Sequence, residues 1–377
     1  MSKKGAPPKA ALRIWAASVS NFTVKRRVPD APELKELFGL DEMPLAEADV
    51  SLELHGVPTS FVNGFRRAAT DEITGWAFQA PEGGFRTDLT TDVFMLPQFV
   101  LQRLELVPLH QLAAAQAAAA GLKYELNARN PSAAPLVVYA GDLRMVVPSG
   151  AGATAYAHKG ALFNPTTELA VIQPGKTLVI EDIGIVPGRG HAMFQVATCG
   201  CYTHLDIAQY SDDEMRLETG VAADLSGYKE SCLVSDPRHH QLRFTLQATD
   251  AQTAREAAVA TLVAVCENIR SRLRLVASAV EGGAAETASA ITYTTLMLEG
   301  GLHEGVIRAP SETHTIGELL RRAIFDTAPE VSVVTYSVSA HEKALTLTVR
   351  ASTDVSTIIT EAVLMAITAI EDVMRGL

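Results

Sequence analysis

The sequence predicts an α+β protein made of two similar halves, the first of them interrupted by a β-rich insert. Three observations lead there. A short amphipathic segment carrying Phe65-Arg66-Arg67-Ala68 recurs late in the chain as Leu320-Arg321-Arg322-Ala323. Both copies sit in the same order of patterns: strand, helix, strands, long helix. In the first half only, a run of short strand patterns separated by Pro and Gly turns lies between the short helix and the long one.

Composition limits what such a protein does. A chain of 377 residues, 47% apolar and 20% charged, is long enough for two or three domains with substantial cores. No apolar run reaches the roughly 18 residues a spanning helix needs, and the alanine-rich piece Leu112–Ala120 is too short and too weakly apolar. A net charge of −11 argues against broad gripping of a phosphate backbone. Four cysteines, Cys199, Cys201, Cys232 and Cys266, make no disulfide framework, so a reducing compartment is expected. The first 29 residues hold Lys3, Lys4, Lys9, Arg13, Lys25, Arg26 and Arg27 and no acid. Transit peptides share that composition, but a basic, poorly ordered extension is the preferred reading.

In chain order, Ala31–Phe38 reads as a short helix and Val50–Leu54 as a half-buried alternating strand. Phe61, Phe65, Ala68 and Ala69 then recur at helical spacing, giving the first Arg-Arg helix one apolar face. Phe94–Leu106 reads as a helix stopped by Pro108. The insert offers strands at Leu122–Leu126, Pro135–Tyr139, Leu143–Val147, Glu168–Ile172, Lys176–Ile180 and Phe194–Ala197. Leu242–Leu246 alternates as a strand, and Thr253–Val280 places Ala258, Leu262, Val265, Cys266, Ile269, Leu273 and Val276 at heptad-like spacing. Residues 281–290 have linker composition. The second half begins with a strand at Thr292–Leu298. Its Arg-Arg helix has Ile316, Leu319, Leu320 and Ile324 on one face, and Thr315 and Glu318 fit a capping box. Strands Val331–Val338 and Ala344–Val349 follow, then a helix over Val355–Val373 with Ile358, Ile359, Ala362, Met365, Ala366, Ile370 and Val373 aligned.

Chemistry-bearing motifs are few. Cys199, Cys201 and His204 offer three close zinc ligands at most, and packing of small residues is the better reading. Gly188-Arg189-Gly190 follows a strand, but Met193 stands where a dinucleotide fingerprint needs glycine or alanine, so a tight turn is expected. His239-His240 reads as a surface loop and His191 as part of the insert's turn. No nucleophile–base–acid set accompanies these histidines. No D-x-D-x-D-type cluster for magnesium is present.

Several stretches resemble one family. Asn63-Gly64-Phe65-Arg66-Arg67 with Thr70-Asp71-Glu72-Ile73 resembles the N-x-L-R-R…E-I-P signature of RNA polymerase assembly subunits: the bacterial α, the archaeal D and the third-largest subunit of polymerase II. Arg103-Leu104 and Leu106-Val107-Pro108-Leu109 are similar to that family's R-L-G-L-I-P-L block, with Glu105 in place of glycine. Gly188 through Phe194 resembles its G-x-x-x-x-H-A-K-W/F stretch, with Met193 in the lysine place, and Gln173–Leu178 resembles its L-x-x-G-q-x-L hairpin. Glu312-Thr313-His314-Thr315-Ile316-Gly317-Glu318-Leu319-Leu320-Arg321 is similar to the E-D-H-T-L-G-N-L-L-R motif of the small L-type partner, with Thr313 and Glu318 as the main departures. The resemblance covers roughly 48–281 and 291–377, and fusion of the two partners resembles the arrangement in poxvirus, asfarvirus and related large DNA virus polymerases.

The resemblance implies an intramolecular heterodimer of two halves like the α subunit's N-terminal domain, each an antiparallel sheet plus two helices, packed as a pseudo-twofold dimer. The expected division is an N-terminal extension (1–47), a discontinuous first dimerisation domain (48–110 and 205–281), an insert (111–204), a linker (282–290) and an L-type domain (291–377). Phe61, Phe65, Ile316, Leu319, Leu320, Leu262, Ile269, Ile359 and Ile370 would form the dimer core. Asn63, Arg66, Arg67, Glu72 and Arg103 would face partner subunits, and Gly188, Gly190 and His191 would shape the insert's turn. The implied partners are the two largest polymerase subunits and a small zinc-binding subunit, with no sequence-specific DNA contact and no membrane. No cofactor or metal is expected in this chain; magnesium belongs to the catalytic subunit. The virion and the infected host cell, its cytoplasm ahead of its nucleus, are the expected locations. The alternative is a free-standing duplicated α+β enzyme or ligand-binding protein, which would be active alone and carry a ligand pocket.

Overall fold

The computed structural model describes residues 15–27, 36, 46–81, 85–87, 96–146, 162–203, 238–248, 251–282, 291–339 and 341–377. The proposed linker beyond residue 282, the short helix expected at Ala31–Phe38 (Glu36 apart), Cys232 and His204 lie outside them.

Two four-stranded antiparallel sheets carry the duplication. In the first half, β1 (Ser18–Arg27) and β2 (Ala46–His55) precede helix α1 (Thr59–Arg67), which runs straight into a π-turn over Ala68–Glu72. After the insert come β10 (Thr198–Thr203), β11 (His239–Ala248) and the long helix α4 (Ala251–Val280). In the second half, β12 (Thr292–Met297) and β13 (His303–Pro310) precede α5 (His314–Thr327), followed by β14 (Val331–Ser339), β15 (Ala344–Ala351) and α6 (Val355–Gly376). Both halves read strand–strand–helix–strand–strand–helix. Their sheets have the same order, β1-β2-β11-β10 and β12-β13-β15-β14.

Equivalent elements meet each other across the molecule. Helix α1 packs on α5, and α4 packs on α6. The cross-contacts are reciprocal as well: α4 touches β12 while α6 touches β1. That reciprocity is the mark of an interface that uses the same patch twice. One continuous apolar core results, and Phe61, Phe65, Leu262, Ile269, Ile316, Leu319, Leu320, Ile359 and Ile370 all lie in it. A Cβ added at Gly376, the last helical residue, would sit 3.0 Å from the Val19 side chain, so the end of α6 rests on β1.

The insert has its own core. Strands β3 (Gly75–Gln79), β9 (Thr177–Gly188), β5 (Lys123–Arg129) and β7 (Arg144–Val146) pair in that order, β4 (Phe85–Thr87) joins β9, and β6 (Leu136–Tyr139) pairs with β8 (Glu168–Ile172). Helices α2 (Pro97–Glu105) and α3 (Gln111–Ala119) cover this body, with Phe78, Val100, Leu104, Leu126, Leu169 and Ile180 buried inside.

Several expectations shift. The segment 1–47, read as an extension, supplies strand β1 and the buried Trp15. In the strand register Lys25 stands opposite Asp49. The insert's body opens at β3 rather than at residue 111, because Phe78, Val100 and Leu104 belong to its core. Strand β10, placed at the end of the insert, returns to the first sheet. His239-His240 opens β11 instead of forming a loop; His240 points inward opposite Leu54 and its Nε2 lies 3.0 Å from the Val57 carbonyl. Finally, α5 is capped by Thr313 rather than Thr315.

Candidate interface and the junction between the halves

The two sequence motifs that flank the duplication meet at one polar junction. The π-turn ending in Glu72 swings its carboxylate toward the start of α5; such insertions put an extra residue into one turn and re-aim the chain beyond it. Thr313 and Thr315 both donate to Glu72 Oε1, at 2.8 and 2.6 Å. Thr315 is therefore occupied across the junction, while Thr313 accepts the Thr315 backbone N–H as the helix cap.

Arg272, from α4, completes the arrangement. Its Nη1 donates to Glu72, and its Nε donates to Glu312 Oε2 at 2.9 Å. Nη2 binds the same Glu312 carboxylate at 2.5 Å, so this contact is a two-nitrogen fork. Asn268, one turn earlier, accepts from Arg272 at 3.1 Å and donates to the Glu72 carbonyl at 3.1 Å. The three charged side chains are only 10–13% exposed. Burial opposes ionisation of Glu72, yet the Arg272 guanidinium and the Thr315 and Thr313 hydroxyls outweigh it and hold the carboxyl below its ordinary value.

A second polar clamp lies at the other end of α5. The indole of Trp15 donates to Asp326 at 2.9 Å, and Arg238 and Arg322 donate to the same oxygen at 3.1 Å. Trp15 also meets Phe61 edge-on, with centroids 5.8 Å apart. The N-terminal segment thus reaches from its own core to the second half.

The residues expected at a partner surface separate into three places. Asn63 Oδ1 accepts from Arg66 at 2.9 Å, and this pair lies partly exposed on α1. Arg67 turns toward the second half and donates to Thr315 at 3.3 Å. Glu72 is enclosed in the junction, where its carboxylate is taken up within the chain. Arg103 lies on the insert, 3.8 Å from Glu168 with both side chains about half exposed. Around it, Leu96, Phe99 and Leu106 leave apolar surface on and beside α2 exposed.

The insert's turn has a steric logic. Gly75 and Gly188 are paired across β3 and β9, and Phe194 folds over both. A Cβ at Gly188 would lie 2.3 Å from the Phe194 ring, and one at Gly75 would lie 1.9 Å from its carbonyl oxygen. Gly190 has φ +79 and donates to the Asp71 carbonyl at 3.0 Å, fastening the turn to the π-turn. His191 is exposed and precedes a 3-10 turn, Ala192–Phe194. Cys199 and Cys201 lie on β10, partly buried against the main core; burial pushes the Cys199 thiol up to about 12, with Cys201 adding to it against Arg66.

Sequence reasoning passed over Arg272 and Asn268, and met Glu312 only as part of the L-type motif. The signal was present for one of them: Arg272 falls at the i+7 position from Val265 on a stripe otherwise filled by Val265, Ile269 and Val276. A charge on an apolar stripe marks a buried partner.

Two halves of one topology, fused in a single chain and closed on each other through a common core, define a duplicated α+β scaffold. The chain is 32% identical over 318 residues to proteins described as DNA-directed RNA polymerase RPB3-11 homolog from African swine fever virus, including the Badajoz strain and isolates from Malawi and Kenya. The match covers 84% of this chain and 83% of each relative. No protein-family model matches it. The chain belongs to this family of viral RNA polymerase RPB3-11 homologs.

Proposed function

We propose that this chain is the intramolecular heterodimer on which the two largest subunits of a viral DNA-directed RNA polymerase assemble. Its family is one of RNA polymerase subunits, and its part in the enzyme is a non-catalytic scaffold. The observation that carries the reading is the single core shared by both halves, together with similarity extending over most of the chain to relatives whose name joins two subunits. In this reading each half is a dimerisation domain like that of the polymerase α subunit, and the fusion keeps the partners at an effective concentration on the order of millimolar.

The Asn63–Arg66 pair on α1 and the Arg103 region of α2 are the proposed contacts for the large subunits. Half-exposed guanidinium groups suit polar protein interfaces, and the exposed Phe99 and Leu106 supply apolar area beside Arg103. Glu72 and Arg67 serve the junction instead. A small zinc-binding subunit completes the proposed set of partners, and the virion and infected cell are the proposed locations.

Replacing Asn63 and Arg66 together with alanine should leave the fold intact and weaken co-purification of the second-largest subunit. Unchanged assembly of the polymerase would remove the α1 surface from the proposal. Native size exclusion tests the whole reading: incorporation into a large complex supports it, and a stable, active, isolated chain contradicts it.

A further inference from the structure

On the solvent face of the first sheet, away from the junction, two imidazoles and a carboxylate converge. His55 on β2 and His239 on β11 are directly opposite in the strand register, and their rings stack with centroids 4.1 Å apart. Glu53, two residues before His55 and therefore on the same face, reaches both. Its Oε2 lies 3.6 Å from His55 Nε2 and 3.3 Å from His239 Nε2. The three ligand atoms lie within 4.8 Å of one another.

The two Glu53–imidazole separations are close to those of ligands sharing one ion, and the stacked rings would have to turn apart for both Nε2 atoms to face it. Bonds of about 2.0–2.1 Å in tetrahedral geometry put neighbouring ligand atoms roughly 3.3–3.4 Å apart. A supporting shell is also built. Strand β1 bulges between Ser20 and Thr23, with Asn21 at φ +51, and the bulge delivers two polar side chains to the cluster. Asn21 donates to Glu53 Oε2 at 2.8 Å, while Ser20 Oγ lies 2.8 Å from His55 Nε2, a place that an incoming ion would take from it. The Asn21 hydrogen bond, against a smaller opposing effect of burial, holds the Glu53 carboxyl below its ordinary value. Side-chain exposures of 20% for Glu53, 37% for His55 and 39% for His239 leave an approach from solvent.

We infer that Glu53, His55 and His239 form a binding site for a divalent transition-metal ion of the zinc class. Two imidazoles and one carboxylate suit zinc and exclude magnesium and calcium, which take oxygen ligands. Three protein ligands leave a fourth position for water. The site's placement gives it a structural consequence. His55 precedes the insert and His239 follows it, so a bound ion would pin together the two chain segments that the insert separates. Ion binding to the folded form alone raises stability by mass action.

The test uses the full-length chain stripped of metal and titrated with zinc chloride, bound metal being measured after gel filtration. One equivalent is expected, with a rise in apparent Tm, and both should be lost in His55→Gln/His239→Gln. A Cys199→Ser/Cys201→Ser variant should keep both. Cobalt substitution separates the donor sets: nitrogen and oxygen ligation gives no thiolate charge-transfer band, whereas a sulfur site does. The inference is overturned if wild type binds no zinc, if the histidine variant binds as much, or if cobalt reports sulfur ligands. Far-UV circular dichroism on the histidine variant verifies that its fold is retained.

Discussion

Glu72 and Thr315, 243 positions apart in sequence, are joined by a 2.6 Å hydrogen bond. The contact ties the assembly-subunit motif of the first half to the L-type motif of the second. Residues that invite reading as surface recognition elements are thus partly engaged in holding the chain to itself.

Arg272 is the keystone of that junction. Truncation to alanine leaves Glu72 and Glu312 as buried carboxylates without their shared cation, which costs about 3–5 kcal/mol. Arg272→Ala should lower the apparent melting temperature far more than Arg274→Ala, since Arg274 is 58% exposed and pairs loosely with Glu371 at 3.7 Å. Thermal unfolding of the two variants side by side checks this.

Acid should loosen the junction. The Glu72 carboxyl titrates below its ordinary value of 4.5 in the folded chain. A depressed folded pKa contributes stability that is fully present above the unfolded value and is lost as pH falls through the folded one. Apparent stability should therefore drop below about pH 4.5, and Glu72→Gln should flatten that part of the profile. Denaturant midpoints at stepped pH values provide the measurement.

Trp15 should behave as a core residue despite its place near the chain's start. Trp15→Ala is expected to cost about 3–5 kcal/mol. Trp15→Phe keeps a ring against Phe61 but loses the donor to Asp326, for about 1.5–3 kcal/mol. Limited proteolysis and melting temperature should rank wild type, phenylalanine and alanine in that order.

The turn glycines should rank by what a methyl group meets. At Gly75 it meets a backbone oxygen at 1.9 Å, which cannot rotate away, while at Gly190 nothing lies within 4 Å and only the positive φ matters. Gly75→Ala should displace the Ala192–Phe194 turn and cost at least the roughly 1–3 kcal/mol of overpacking. Gly190→Ala should cost roughly 1–2 kcal/mol. Equal losses in a stability comparison would contradict this steric account.

Much of the fold was legible because period and polarity agreed. The long helices α4 and α6 were visible from their apolar stripes. Strands β1, β3, β4 and β13 were missed, and β10 begins just after the strand expected at Phe194–Ala197; two of these misses have identifiable reasons. In β1, the bulge at Ser20–Thr23 breaks the alternation of Val19, Phe22 and Val24. In β13, the inward positions are Gly305, Ile307 and Ala309, a weak apolar signal. Gly305 is small because a Cβ there would lie 2.6 Å from Val355. The junction itself was half legible. Glu72 and the Glu312–Thr315 motif stood out, but their meeting depends on a π-turn, which has no local signature, and on Arg272, whose charge within an apolar stripe was the one cue.

The rest of α6 on β1 has a temporal consequence. Val19 leaves the ribosome long before Gly376 is added, so the first strand, already packed by α4, receives its contact with α6 only after both halves have been translated. At about 5–20 residues per second the strand waits roughly 20–70 s for that helix. Closure of the molecule is therefore a late event in synthesis, and a ribosome that stops before α6 leaves β1 covered by α4 alone, without its contact to the second half.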